Sequence, residues 1–339
     1  MPRFFASRLG GGLVSIFGAS LLAFLFLRKL PGDPARLVLG PLASDDAVRK
    51  LRGQMGLNDP VWTQYWHYVR DFFTGHWGFS YTAGQPVGTQ IGSRLPASIE
   101  LGLWAFAFAF VAAVLLALLS TYRRRPVLDG IVRAAAFVGL GTPPFWLGLM
   151  LLLIFFSWLG WLPGPEGRIS DGIPLPPKIT GLITVDALLS GNLRAFGSAF
   201  AHLLLPAVSL GLGAFGLLVR LLRANLTEVG REPFLVVARS KGLSRWSAHR
   251  RHALPNAFLP TLTAGGLLLA QMIGGSVLVE KVYNWPGVGS LVVDSILRQD
   301  FSVVQAFILL SACAYVVVNL VVDVLYGVMD PRVRAGGAE

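Results

Sequence analysis

Charge and cysteine are what this chain has least of. Only 14% of its 339 residues are charged, 54% are hydrophobic, and there is a single cysteine, Cys313. One thiol excludes an intrachain disulfide framework, and inside an apolar run it reads as a small packing residue. The five histidines make no metal set. His67 and His76 are nine apart among aromatics, His202 is isolated, and His249 with His252 lies in a basic segment lacking carboxylate or cysteine partners. No G-x-x-x-x-G-K-[ST] run and no Gly-Lys pair occurs, so the chain has no P-loop for ATP. Acidic residues are scarce too, 18 against 29 basic, for a net charge of +11. The basic residues gather at the ends of apolar runs as topology signals, which argues against nucleic acid as a partner.

What the chain has in plenty is uninterrupted apolar sequence. Residues 9 to 27, 101 to 122, 134 to 165, 203 to 219, 257 to 279 and 303 to 322 each contain no Asp, Glu, Lys, Arg or His. A single charge at the bilayer centre costs about 2.5 to 3.5 kcal/mol, so six clean windows of this length read as six transmembrane helices. The fold class is therefore an all-α polytopic membrane protein, with residues 1 to 339 forming one membrane domain. Membrane lipid is its first partner. Arg3 and Arg8 before the first run resemble a signal peptide, but the run is too long and lacks a small-residue cleavage site, so it reads as an uncleaved first span.

Orientation follows from Lys and Arg in the shorter loops. Segments 121 to 133 and 220 to 252 hold 12 in 46 residues, against 5 in 64 for 161 to 201 and 280 to 302. The bias puts the first pair in the cytoplasm; loop 28 to 99 is too long for this rule to judge, but an even number of spans then places both termini inside and that segment outside. Its Trp62, Tyr65, Trp66, Tyr68, Trp77 and Tyr81 suit the membrane surface.

Pro143 and Pro144, Pro206 and Pro260 are candidate kinks or helix starts in the third, fourth and fifth spans. Gly265, Gly266, Gly274 and Gly275 permit either close helix packing or a pathway lining, with packing favoured. Gly211, Gly213 and Gly216 spell the G-x-G-x-x-G dinucleotide fingerprint, but inside an apolar span with no preceding strand they carry no cofactor reading.

The segment 220 to 256 is the most informative. Glu232 and Pro233 suit a helix start, Phe234, Val237, Ala238 and Lys241 recur at helical spacing on one side, and Gly242 is placed to end it. Ser244 can cap a second short helix running through Trp246 and His249 until Pro255. Two short helices meeting at a glycine make a protruding knob, and apolar residues beside arginines suit a docking surface.

Ala238-Arg239-Ser240-Lys241-Gly242-Leu243, followed by Ala253-Leu254-Pro255-Asn256-Ala257 and Leu259-Pro260, resembles the EAA loop of bacterial ABC importer permeases of the dipeptide, oligopeptide and nickel branch. Ala238, Gly242, Leu254 and Pro255 match the family pattern in spacing. Val236 stands where the pattern has glutamate, Val237 replaces the first alanine, and His252 replaces isoleucine. The resemblance extends along the chain through Leu30-Pro31-Gly32-Asp33-Pro34, Met55-Gly56-Leu57 with Gln64-Tyr65, Gly78-Phe79-Ser80, Arg94 to Leu101, Trp285-Pro286-Gly287-Val288-Gly289, Asp300, and Asp323 to Pro331.

The resemblance implies a type I ABC importer permease fold in a bacterial cytoplasmic (inner) membrane. It implies pairing with a second homologous permease, two cytoplasmic ABC ATPases and an external solute-binding protein. ATP and Mg would then belong to the ATPases, leaving no cofactor or catalytic residue in this chain. Residues 220 to 256 would be the cytoplasmic coupling loop, with Phe234, Val237, Ala238, Arg239, Lys241, Gly242, Leu254 and Pro255 carrying the ATPase contact. On the external side Glu280, Trp285, Arg298 and Asp300 crowd the Trp285-Pro286-Gly287 turn with Lys281, Tyr283 and Asp294. They form either a re-entrant cap held by its own charge pairs or a contact for the binding protein. The substrate class implied is a di- or oligopeptide, with nickel the minority alternative. A secondary transporter or channel would also use six spans, but ion coupling usually leaves an ionisable residue in them, and these contain none. An intramembrane enzyme needs a reactive pair, where only scattered Ser, Asn319 and Gln271 occur.

Overall fold

A computed structural model describes residues 2–29, 33–40, 42–80, 82–123, 126–273 and 277–329. Gly274, Gly275, the Leu30-Pro31-Gly32 part of the first turn, and the tail from residue 330 lie outside them. The described residues are mostly helical. A long first helix α1 (Pro2–Arg28) is followed by three short ones, α2 (Pro34–Leu39), α3 (Asp45–Gln54) and α4 (Val61–Phe73), then a two-stranded hairpin of β1 (Phe79–Ser80) and β2 (Gln85–Pro86). The strands are antiparallel, with Phe79 opposite Pro86 and Ser80 opposite Gln85. Next come α5 (Val87–Arg123), α6 (Pro126–Gly141) and α7 (Pro144–Leu151), the last continued by a π-helical turn at Leu152–Trp158. After α8 (Ile183–Leu189), the long α9 (Leu193–Val229) leads to α10 (Pro233–Ser240), α11 (Arg245–Ala248), a second π turn at His249–Ala253, and α12 (Leu254–Ile273). The chain closes with α13 (Val277–Val282), α14 (Val288–Leu297) and α15 (Phe301–Met329).

Length and apolarity together qualify α5, α9 and α15 to cross a membrane alone, and two bent helix pairs bring the total to five. The sixth apolar run is α1, whose stretch Gly10–Phe26 is shorter. The third expected span is not one continuous helix: α6 and the α7 segment meet at 115°. Pro143 adopts an extended conformation and caps α7, while Pro144 occupies its first turn. A residue preceding proline is pushed out of helical conformation, so the Gly141-Thr142-Pro143-Pro144 run ends one helix and starts another. Both halves still follow α9 in one direction. Asp129 pairs with Arg223 at 2.9 Å, Gly139 abuts Leu212, and Leu152 clusters with Leu205. The fifth expected span is bent as well, the segments Arg245–Phe258 and Pro260–Ile273 meeting at 57°, and its residues 274 to 276 lie outside the described ones. Pro206 breaks nothing: α9 runs through it, as helices in a membrane protein tolerate when neighbours re-satisfy the backbone.

The core is organised by small residues at a four-residue period. Ala97, Leu101, Ala105, Ala109, Ala113 and Ala117 are all buried along one stripe of α5. Each four-residue step sets one side chain almost above the last, so the stripe winds slowly round the helix, and alanine along it lets a partner helix approach closely. That partner is α9, and the glycines that spell a dinucleotide fingerprint are its contact points. A Cβ on Gly211 would lie 2.6 Å from the Ala105 carbonyl oxygen, and one on Gly216 would lie 2.7 Å from that of Ala136 in α6. Gly266 of α12 likewise faces Val322 of α15 with no room for a side chain, and Gly265 faces Phe106. These glycines pack helices.

Two sets of connections segregate to opposite ends of this bundle. Near Ala97–Glu100 of α5 gather the hairpin, the loop carrying Arg168, α8, and the α13–α14 turn. Near Tyr122, about 37 Å further along the helix, gather α11 and the end of α9. The strongly basic segments all belong to the second end.

Candidate functional site

At the basic end, α10 and α11 form the knob. Glu232 is the N-cap residue of α10, with Pro233 at its first turn. Gly242 has φ +89°, a left-handed conformation that favours glycine and reverses the chain. Ser244 then caps α11, its hydroxyl accepting from the Ser247 N–H at 3.2 Å. The second helix does not stop at Pro255. A π turn over His249–Ala253 leads straight into α12, the Leu254 N–H bonding to the His249 carbonyl. This wider turn immediately precedes the proline, whose ring and missing N–H conflict with ordinary helical register.

The face of α10 is split. Phe234, Val236 and Val237 are 41, 63 and 54% exposed, and Arg239 and Lys241 are exposed beside them. Leu235 is buried and Ala238 half-buried, both turned toward the bundle, so Ala238 does not share the outer face with Phe234 and Val237. Leu254 is half-buried against the main core, and Pro255 is exposed at the start of α12. The knob is firmly rooted. Trp246 meets Tyr122 edge to face at 5.2 Å, Arg245 lies over the same ring, and Leu235, Ala248 and Ala253 belong to the main core cluster. Val236 is the most exposed apolar side chain of α10. The helical spacing that singles out Phe234 and Val237 passes over it, although a hydrophobe in a position otherwise expected to be charged is a visible signal.

At the other end, the residues expected to crowd the Trp285 turn are brought together but mostly turned inward. Glu280 and Trp285 are each 1% exposed and Asp300 is buried, while Arg298 is exposed. Glu280 accepts from the Ser98 hydroxyl at 2.7 Å and from the Ser290 N–H at 2.8 Å, and Ser98 in turn accepts from the Val288 N–H. Burial pushes the Glu280 carboxyl above its ordinary range, while these donors, the Gly289 N–H and Arg94 work in the opposite direction. The Trp285 indole donates to the Ala97 carbonyl at 2.9 Å. Asp300 accepts from Ser80 and, at 2.6 Å, from Thr82, tying α15 to the hairpin. Lys281 and Asp294 make an outer pair at 2.6 Å. The arrangement is a cap closed on itself: of the four named residues, only Arg298 presents a charge to the outside.

A further buried acid completes the cap. Glu100 pairs with Arg168 and accepts from both the N–H and the hydroxyl of Thr184 at 2.7 Å. Arg168 lies over the Trp285 ring at 5.9 Å. Tyr283 links α7 to α9, donating to the Gly148 carbonyl at 3.1 Å beside the Ser209 hydroxyl at 2.9 Å. Glu100 stands inside the Arg94 to Leu101 motif next to an apolar run, which is the only sequence signal for it.

Comparison with known proteins places the chain by family. Residues 73–335 match the model of the binding-protein-dependent transport system inner membrane component, and residues 1–102 match that of its N-terminal region. The chain is 40% identical over 332 residues to the probable D,D-dipeptide transport system permease protein of Escherichia coli, covering 98% of this chain and 97% of that protein. It is 37% identical over 335 residues to the di/tripeptide transport system permease protein of Pseudomonas aeruginosa, covering 98 and 99%. To the glutathione transport system permease protein of Escherichia coli it is 34% identical over 334 residues, again covering 98 and 99%.

Proposed function

This chain belongs to the family of binding-protein-dependent transport system inner membrane components, and from that premise we propose that it forms half of a translocation pathway for di- and oligopeptides. It is a multi-pass permease subunit of an ABC importer. In this reading a second, homologous permease supplies the other half of the pathway. Two cytoplasmic ATPases bind ATP with its Mg, and an external solute-binding protein delivers the peptide. Both termini and the 220 to 256 segment are cytoplasmic, in keeping with the excess of Lys and Arg there.

The observation that carries the coupling role is the exposed apolar patch Phe234, Val236 and Val237 on a helix rooted by Leu235 in the bundle core. An apolar face flanked by Arg239 and Lys241 suits a groove in a partner protein, with the positive charges at its rim. Leu254 and Pro255 act one step behind, at the junction where the knob becomes α12. On the external side Arg298 is the residue of the cap offered to the binding protein. The relatives named for dipeptide, di/tripeptide and glutathione transport support a peptide substrate, with dipeptides favoured.

The test is twofold. Ligands co-purifying with the partner binding protein are identified by mass spectrometry, and uptake of labelled dipeptide is measured in a strain deleted for this chain. Peptides in the binding protein and lost uptake are expected. Nickel or a sugar in that pocket, with peptide uptake intact, would overturn the assignment.

A further inference from the structure

A cavity of about 610 Å³ opens between the ends of α1 and α15 and the short helices α3 and α4, a size typical of small-molecule sites. Its walls are aromatic: Phe24 stacks on Tyr68 at 5.9 Å and Phe72 on Trp77 at 5.1 Å, and all four face the space. Its charges are of both signs. Arg52 is already paired with Asp33 at 3.1 Å. Arg28 lies over the Phe24 ring at 5.0 Å, and among the described residues neither Arg28 nor Asp71 has an ion-pair partner. Burial and the nearby Arg52 guanidinium both hold the Arg28 guanidinium below its ordinary range, so an incoming anion would relieve a repulsion. Gln64, also lining the cavity, has a buried Oε1 with no hydrogen-bond partner, while its amide nitrogen donates to the Leu57 and Asp59 carbonyls.

The orientation of α4 decides which phase supplies the ligand. At about 100° per residue, the exposed Trp62, Trp66 and Phe73 share one narrow stripe. Gln64, His67 and Asp71 point the opposite way, into the cavity. With the tryptophan stripe at the membrane surface, where such rings are favoured, the cavity faces water.

We propose that this cavity is a binding site for a water-borne zwitterion of short-peptide size, its carboxylate facing Arg28 and Arg52, its ammonium facing Asp71, and its side chains on the aromatic walls. The choice of a peptide rests on the substrate reading above; the charge pattern does not. Such a site would hold substrate on the permease itself, separately from the binding protein.

The test uses the complete importer in nanodiscs without binding protein or nucleotide, titrated calorimetrically with alanyl-phenylalanine, its N-acetyl derivative and its C-terminal amide. The free dipeptide binds, and each blocked form binds roughly tenfold or more weakly, the scale of losing a hydrogen bond to a charged group. Arg28→Gln removes the discrimination against the amide and leaves that against the acetyl form, while Asp71→Asn does the reverse. Equal affinity for all three ligands, no binding, or a phospholipid found lodged in the cavity by native mass spectrometry would each overturn the proposal. The ligand series on the unaltered importer decides it even if a variant fails to fold. If peptide uptake is confirmed and no binding is seen here, this inference alone falls. If the binding protein carries no peptide, the substrate reading falls first.

Discussion

Replacing Gly287 with alanine probes the cap through one pair of atoms. Gly287 has φ −92° and ψ 176°, extended backbone that alanine adopts freely, so no conformational strain enters. A Cβ there would, however, fall inside contact distance of the Glu280 carboxyl. The carboxyl must move, and the Ser98 hydroxyl and Ser290 N–H lose their acceptor in a buried site. At about 1 to 3 kcal/mol for each donor left unsatisfied, the loss is roughly 2 to 6 kcal/mol, with about 1 kcal/mol more because alanine is a poorer N-cap than glycine. In a Glu280→Ala background the three atoms nearest that Cβ are gone, and the capping loss of about 1 kcal/mol is what remains. The two changes therefore couple favourably by more than the roughly 0.5 kcal/mol scatter of independent sites. Detergent-induced unfolding of the four proteins in bicelles, followed by tryptophan fluorescence, measures the cycle. A Gly287→Ala penalty of the same size in both backgrounds would refute the account of the cap as a carboxylate-centred lock.

Other expectations follow from the same architecture. A reporter fused after Arg123 is active only in its cytoplasmic form and one fused at Asp171 only in its external form; the opposite pattern removes the knob from any ATPase. Gly242→Val, imposed on a φ of +89°, and Phe234→Asp, set in an exposed apolar face, leave insertion intact and uncouple ATP hydrolysis from uptake, whereas normal transport in both shows a merely solvated loop. Gly211→Leu places atoms against the Ala105 backbone, which cannot yield, and sharply lowers the yield of folded protein; Gly213→Ala, whose nearest contact is 3.3 Å, is tolerated, and equal yields would contradict tight α5–α9 packing. Arg298→Glu weakens binding-protein stimulation of ATPase activity in a salt-sensitive way, and stimulation unchanged across salt leaves Arg298 outside the contact.

The sequence is most transparent where one physical rule acts alone. Exclusion of charge from lipid marks the apolar runs, and Gly242 and Ser244 announce the knob because a left-handed turn and a helix cap demand few residue types. The dissection of the third span is less visible: Pro143 and Pro144 mark the break, but the angle depends on how each half lies against α9. Burial at the cap is not visible at all. Glu280 stands next to Lys281 and looks like half of a surface pair, yet its partners are Ser98, 182 residues earlier in the chain, and Ser290. Lys281 pairs with Asp294 instead. In α10 the pattern of apolar residues alone does not say which face meets the bundle, since Phe234, Leu235, Val236 and Val237 form a continuous run.

The alanine stripe of α5 has a mechanical consequence. One continuous core joins Ala97 and Trp285, at the end opposite the knob, to Leu235, Ala248 and Ala253 beneath the knob. Close packing of this kind transmits strain and does not absorb it. In the proposed coupling role, a push delivered at α10 would turn the α5–α9 pair as a stiff rod. Over its length of about 37 Å, a tilt of about 10° about one end swings the other by about 6 Å, comparable to a one-turn displacement of a helix. The glycines that deny side chains room at the helix crossings would then set the gearing between the two faces of the membrane.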